Sequence, residues 1–282
     1  MTLAALRLPP GPVDLANLDS GATPGFTDGK KEGQAALEAL GDDLGDMQER
    51  LYAEASSDLG PGRAVLLVLQ GMDTSGKGGV LRHTVGLVDP QGVAITSFKA
   101  PTDEELEHDF LWRIRKALPA KGRIGVFDRS HYEDVLIGRV RALAPEDEIE
   151  RRYDEINAFE AEVVGAGITM IKCMLHISAA TQKERLLARL ADPTKHWKFN
   201  PQDIDERGRW AEYRRAYEIA LERTNTEVAP WFVVPSDHKW YRNLAIGRLL
   251  HDTLSQMAPT WPAADFDVDE QRRRLEEEAP IS

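Results

Sequence analysis

The sequence predicts an α/β fold, a five-stranded parallel sheet held between helices, and three observations carry that reading. Five short apolar runs recur along the chain and read as strands, and the first, Ala64–Leu69, rich in Val and Leu, has the character of a strand buried on both faces. Between them lie segments whose apolar residues recur at spacings of three and four, the face of an amphipathic helix. The first run leads straight into Gly71-Met72-Asp73-Thr74-Ser75-Gly76-Lys77, a G-x-x-x-x-G-K pattern in a strand–loop–helix setting. Strands alternating with helices make a parallel sheet whose ligands sit at the carboxyl ends of the strands.

Taken in order, residues 1–30 are rich in Pro, Gly and Asp without periodicity, so residues 1–32 are expected to form an extended, partly disordered arm. Leu37, Leu40, Leu44, Met47 and Leu51 mark one helix that covers the sheet. A turn is expected at Asp58–Gly62, and the first strand follows from Ala64 to Leu69. The helix behind the loop continues through Val80–Val88 and stops at Asp89-Pro90. Val93–Phe98 is the second strand. Thr102 and Glu105 form a capping box for a helix whose buried face is Leu106, Phe110, Ile114 and Leu118. Arg123–Asp128 is the third strand, ending in a carboxylate. Tyr153, Ile156, Phe159 and Val163 mark the next helix, closed by Gly165 and Gly167. Ile168–Ile177 and Trp231–Val234 are the last two strands, followed by a helix around Leu244–Met257. The domain is expected to span residues 33–258, and residues 259–282 form a charged, solvated tail.

In the phosphate-binding pattern, glycines let backbone N–H groups curl around an anion, and the helix behind adds its dipole. Gly71, Met72, Thr74, Ser75, Gly76, Gly78 and Gly79 would form the cradle, with Lys77 reaching the phosphates as a point charge. The hydroxyl that usually follows the lysine is replaced by Gly78. Asp73 instead puts a carboxylate inside the loop, which phosphates would repel by several kcal/mol unless a cation lay between them. Asp128, at the end of the third strand, is the second metal-facing carboxylate, and Arg129 beside it is a phosphate clamp. His131 in this context is a packing residue rather than a base.

A second constellation spans residues 181–215, between the fourth and fifth strands. It carries nine Lys and Arg against six Asp and Glu, in a chain whose net charge is −12. Prolines at 193 and 201 bracket His196-Trp197-Lys198-Phe199. A helical segment at that point in such a sheet is where phosphoryl-transfer enzymes carry a mobile, arginine-bearing lid. Arg185, Arg189, Lys195, Lys198 and Arg207 are its candidate phosphate-binding cations, and its two flanking strands are expected to lie on either side of the phosphate-loop strand.

The acidic balance argues against general nucleic-acid or membrane-surface binding. A single cysteine, Cys173, lies in an apolar run and excludes a disulfide framework or a cysteine-based zinc site. There is no stretch of about twenty apolar residues and no basic-then-apolar leader, so a cytoplasmic protein is expected.

Four motifs, in order, resemble those of the polyphosphate kinase 2 family: GMDTSGKGG, VFDRSHYEDVL, RLLARLADPTKHWKF and APWFVVPSDHKWYRN. The similarity runs from about Lys30 to Met257 and includes both Asp73 and Gly78. It implies a P-loop kinase fold with a helical lid, inorganic polyphosphate as donor, and adenine or guanine nucleotides as acceptors. The wording is closest to members that phosphorylate both nucleoside mono- and diphosphates. It implies Mg²⁺, with Mn²⁺ as a substitute, held by Asp73 and Asp128, and a homo-oligomer, dimer or tetramer. Two other readings are an ATP-dependent small-molecule kinase, which would more often keep a hydroxyl at position 78, and a non-catalytic nucleotide-binding module.

Overall fold

Successive side chains of a strand point to opposite faces, so a strand apolar at six successive positions must be covered on both sides. Ala64–Gln70 (β1) is such a strand. In a computed structural model, which describes residues 3–56 and 62–278, β1 is buried along its whole length at the centre of a sheet. The other strands are β2 (Val93–Ser97), β3 (Ile124–Asp128), β4 (Ile168–His176) and β5 (Trp231–Pro235). Their order is β2-β3-β1-β4-β5, and every pairing is parallel. Leu69 lies in register with Asp128 on one side and Cys173 on the other, so the phosphate loop and the acid that ends β3 leave the sheet at one edge.

The helices are α1 (Lys30–Glu38), α2 (Gly41–Ala55), α3 (Lys77–His83), α4 (Asp103–Leu106), α5 (Trp112–Lys116) and α6 (Ile137–Val140). They continue with α7 (Glu146–Gly165), α8 (Ala179–Ala191), α9 (Gln202–Gly208), α10 (Trp210–Thr224), α11 (Lys239–Met257) and α12 (Val268–Glu276). Leu66 and Val68 of β1 pack with Tyr153, Ile156 and Phe159 of α7 and with Ala220 and Leu221 of α10. Val65, Leu67 and Leu69 pack on the opposite face with Leu44 and Leu51 of α2, Val80 of α3, and Ile246, Leu249 and Leu250 of α11. The period-two alternation of one strand thus supplies both cores.

Several elements differ from expectation. The arm is ordered: Leu6, Val13 and Leu15 are buried, and Arg7 bridges Phe232 in antiparallel sense. The Leu8 amide donates to the Trp231 carbonyl at 2.8 Å, and the Val233 amide to the Leu6 carbonyl at 2.9 Å. The arm therefore covers the free edge of β5, where unpaired backbone groups would otherwise face water. The helix expected over Leu37–Leu51 is two helices, divided between Glu38 and Gly41. The capping box at Thr102 and Glu105 is present, but the helix behind it stops at Leu106, which is exposed. The Asp109 side chain accepts from the Leu111 amide at 3.0 Å, a local bond that competes with helix, and the chain resumes as α5. β5 neighbours β4, not β1, so only one strand flanking the lid also flanks the phosphate-loop strand. The tail carries the solvent-exposed helix α12. The turn expected at Asp58–Gly62 lies, but for Gly62, outside the described residues.

Candidate active site

The loop after β1 curls because its glycines adopt backbone conformations that side chains resist. Gly71 has φ +152°, and a Cβ there would press on Ser75 Oγ at 2.7 Å and the Leu175 carbonyl at 2.8 Å. Gly76 has φ +110° at the entry to α3. Lys77 opens that helix, and its Nζ donates to the Gly71 carbonyl at 2.8 Å, folding the ammonium back over the loop. Burial and the neighbouring Arg129 cation push the Lys77 pKa below its ordinary value, against the pull of Asp73, Asp128 and Glu133.

Arg129 is the hub of the site. Its backbone has φ +67°, unusual for a side-chain-bearing residue, and its amide donates to the Leu69 carbonyl at 3.1 Å. One arm of its fork reaches Asp73 Oδ1 at 3.0 Å and the other Glu133 Oε2 at 3.2 Å. Burial disfavours the cation, yet Glu133, Asp73 and Asp128 together hold its pKa above the ordinary guanidinium value. Asp128 is half-buried at the carboxyl end of β3. Lys77, Asp73, Asp128 and Arg129, predicted from two separate motifs, therefore meet in one place.

Beside them opens a cleft of about 460 Å³. Met72, Leu136, Ile137, Leu143 and Tyr213 give it apolar and aromatic walls, while Asp73, Arg129, Asp203 and Glu206 give it a charged rim. Such a mix suits a ligand with an apolar, planar part and a charged part.

The candidate lid bases divide into two groups. Lys195 and Lys198 stand exposed on the short helical turn Pro193–Lys198, where Lys195 pairs with Asp192 at 2.7 Å and Lys198 lies over the Trp197 ring. Arg189 donates to the Lys198 carbonyl at 3.2 Å, and 3.8 Å separates it from Asp203. Arg185 and Arg207 are already engaged elsewhere. Arg185 donates to the carbonyls of Thr74, Ser75, Ser236 and Asp237, bracing the phosphate loop from behind. Arg207 donates to Gln182 Oε1 at 2.7 Å, and Gln182 in turn donates to the Asp73 carbonyl at 3.0 Å.

The model of the family described as Polyphosphate kinase 2 matches residues 27–262. The chain belongs to the polyphosphate kinase 2 family. It is 42% identical, over 90% of its length and 93% of the relative's, to the AMP/ADP-polyphosphate phosphotransferase of Meiothermus ruber. It is 37% identical to the ADP-polyphosphate phosphotransferase of Rhodopseudomonas palustris, over 89% of this chain and 88% of that one. Among solved structures, polyphosphate kinase 2 from Arthrobacter aurescens TC1 superposes with a TM-score of 0.94 at 50% identity, covering 99% of this chain and 98% of that one.

In this polyphosphate kinase 2 family member, three further features escaped the sequence. Gln182 and Arg242 reach the phosphate loop from α8 and α11, more than a hundred residues away. The third is a buried polar network behind the β3 turn. Lys172 of β4, wholly buried, donates to Glu160 Oε2 at 2.6 Å, to Tyr132 Oη at 2.9 Å and to the Thr224 carbonyl at 2.8 Å. Tyr132 Oη donates to Glu160 Oε1 at 2.7 Å, and His131 lies 3.3 Å from that same oxygen. Burial opposes the Glu160 charge, but Lys172 and His131 hold its pKa below the ordinary carboxylate value. His131 is thus a buried packing residue three positions beyond Asp128. A lysine inside the apolar run Ile168–Ile177 was the available signal, since lysine is almost never fully buried without a partner.

Proposed function

We propose that the protein transfers the terminal phosphoryl group of inorganic polyphosphate to ADP and to AMP, reversibly. The observation that carries this is the meeting of Lys77, Asp73, Asp128 and Arg129 beside an apolar-walled cleft, in a chain of this family. The phosphate loop and Lys77 hold the donor end. Arg129 forks two phosphate oxygens once the phosphates draw it from Asp73 and Glu133. A terminal phosphate oxygen of the acceptor attacks the last phosphorus of the donor in line. One P–O bond forms as the bridging P–O bond breaks, and the shortened chain leaves as an anion with no proton required. Catalysis is then mostly positioning and charge neutralisation.

Asp73 and Asp128 suit Mg²⁺. Both carboxylates act on the Lys77 ammonium, so they border the place the phosphates would occupy. Among the described residues no three His, Cys, Asp or Glu side chains gather into a ready metal cage. Two carboxylates completed by substrate phosphate oxygens and water is the donor set Mg²⁺ prefers, and Mn²⁺ accepts it too. When bound, the ion would neutralise charge on the bridging phosphates.

The Met72, Leu136 and Tyr213 walls would take the nucleobase, adenine or guanine, by stacking and apolar contact. Arg189, Lys195 and Lys198 would close over phosphates from the lid. A homo-oligomer is also proposed, because the outer edge of β2 is unpaired among the described residues and Ile95 on it is half-exposed. Sedimentation tests that part. Among the described residues, no helix is long and apolar enough to cross a membrane. The deciding experiment incubates ADP or AMP with polyphosphate and Mg²⁺. Nucleoside triphosphate from ADP is expected, and its absence would overturn the donor assignment.

A further inference from the structure

Arg242 of α11 lies beneath the phosphate loop and is 2% exposed. Its Nη1 donates to the Ser75 carbonyl at 3.1 Å, while Nε and Nη2 donate to Asn243 Oδ1 at 3.2 and 2.9 Å. Arg185 converges on the same Ser75 carbonyl from α8, at 3.2 Å, and adds the Thr74 carbonyl at 2.8 Å. Neither guanidinium bonds to a carboxylate among the described residues. Asp237, whose charge favours the Arg185 cation, gives its own oxygens to the Ser178 amide and the Ser20 hydroxyl. Burial and the nearby Arg185 push Arg242 down to about 9, which leaves it charged at neutral pH.

The glycines of the loop record the same contact. A Cβ on Gly76 or on Gly79 would overlap the Arg242 guanidinium, whereas a Cβ on Gly78 would meet nothing within 4 Å. Gly79 has no left-handed φ to account for it, and the three atoms nearest the place its Cβ would take all belong to the buried Arg242 guanidinium. The second glycine of Lys77-Gly78-Gly79 is therefore the footprint of an arginine 163 positions away.

A buried cation without an anionic partner is costly, because carbonyl dipoles recover only part of its lost hydration. In a phosphate loop the backbone amides face the bound anion, and Arg242 meets this loop at a carbonyl instead. We propose that Arg242, braced by Arg185, is a positioning residue for phosphoryl transfer: it holds the phosphate loop in its anion-binding shape and lends it positive charge that a loop-bound phosphate chain neutralises. This rests on the donor reading above, but the shaping of the loop does not depend on which acceptor is used.

The test compares Arg242→Met and Arg242→Lys with wild type. It uses two readouts: KM and kcat for polyphosphate with ADP, and the rise in melting temperature that inorganic tripolyphosphate produces. Removing the charge in Arg242→Met should raise KM about tenfold or more, the scale of one charge-assisted contact, and shrink the tripolyphosphate shift. The melting temperature without ligand reports the balance between removing an unpaired buried charge and leaving Asn243 Oδ1 without its donors, so KM and the tripolyphosphate shift are the deciding readouts. Arg242→Lys should recover most of the KM. A folded Arg242→Met with wild-type KM and a wild-type tripolyphosphate shift would overturn the proposal, as would a lower melting temperature with the shift intact, which is the mark of packing alone. If Arg242→Met does not fold, Gly79→Ala in wild type and in Arg242→Lys decides. Harm to KM should be large in the first and small in the second, where the fork that Cβ would strike is gone; equal harm in both would overturn the idea. Should wild type make no ATP from polyphosphate while tripolyphosphate still raises its melting temperature, the donor reading falls and the binding readouts still judge Arg242.

Discussion

Asp73 shows how one side chain states what its neighbourhood must supply. A carboxylate inside a phosphate loop is tolerable only beside a cation, and here Arg129 lies 3.0 Å from it. In the proposed mechanism Asp73 and Asp128 act on the charge of the transferring phosphates through the bound cation. Asp73→Asn and Asp128→Asn should each lower turnover by at least about a hundredfold, the scale of losing a positioned charge in such a site. Neither side chain is in the core, so melting should be unchanged; a folded variant within about threefold of wild-type activity would remove that residue from the mechanism. Asp134, five residues beyond Arg129 at the end of a short 3-10 turn, gives a pH prediction. Burial raises its pKa from the ordinary 3.8 to about 6, although Arg152 and Arg113 lie 3.6 and 4.0 Å away. The folded state then binds the proton more tightly than the unfolded chain. Its stabilising contribution is complete below about pH 3.8 and is lost as pH rises through about 6. Asp134→Asn should flatten that part of the stability-versus-pH curve, and unfolding midpoints from pH 4 to 7 would show it. The residues of the two loop motifs were legible because each motif is contiguous in sequence. Arg242 and Gln182 were not, because their partners are fixed only by the fold; Arg242 lies inside the motif APWFVVPSDHKWYRN and on the same helix face as Ala245, Ile246 and Leu249, but nothing in either places it under the phosphate loop.

Among the elements, the segment between β4 and β5, whose charge pattern predicts one mobile basic flap, divides in two. The exposed turn with Lys195 and Lys198 carries little packing, and the Lys195–Asp192 pair, being at the surface, is worth at most about 1 kcal/mol. The base of the segment is fixed instead: Arg185 is tied to four carbonyls, and Arg207 acts on the phosphate loop through Gln182. Charge counting could locate the segment but could not separate a free cation from one whose donors are spent on backbone. Lys195→Ala with Lys198→Ala should therefore weaken polyphosphate use and its salt dependence, with stability changed by no more than about 0.5 kcal/mol. Arg185→Ala should behave differently, lowering the melting temperature because up to four partly buried carbonyls lose a donor at once. Kinetics at several salt concentrations beside thermal unfolding would separate the two. A double lysine variant that melts early with unchanged KM would end the lid assignment for that turn.

For the molecule as a whole, the apolar runs and their order were enough to give five parallel strands; β1, buried on both faces, carries an unbroken run of Val and Leu, whereas the edge strand β2 is short and partly exposed and is placed by its position between helices. Composition misled at the N-terminus. A stretch rich in Pro, Gly and Asp lacks periodicity, yet it needs no periodicity to lie extended along a sheet edge, and Leu6, Val13 and Leu15 fall where they can be buried singly. Leu6 joins the core on the α11 face, whereas Val13 and Leu15 join the core on the α7 face. The arm therefore clips the two layers together across the edge of β5. Leu6→Ala and Leu15→Ala should each cost about 2–5 kcal/mol, the range for emptying a well-packed leucine site. Because the two side chains enter separate cores, their costs in the double variant should add to within about 0.5 kcal/mol. Urea unfolding of the singles and the double measures both quantities. Costs below about 1 kcal/mol would mean the arm rests on the surface without securing it. A double variant much worse than the sum would mean the arm detaches as one piece, leaving the β5 edge open to pair with another chain.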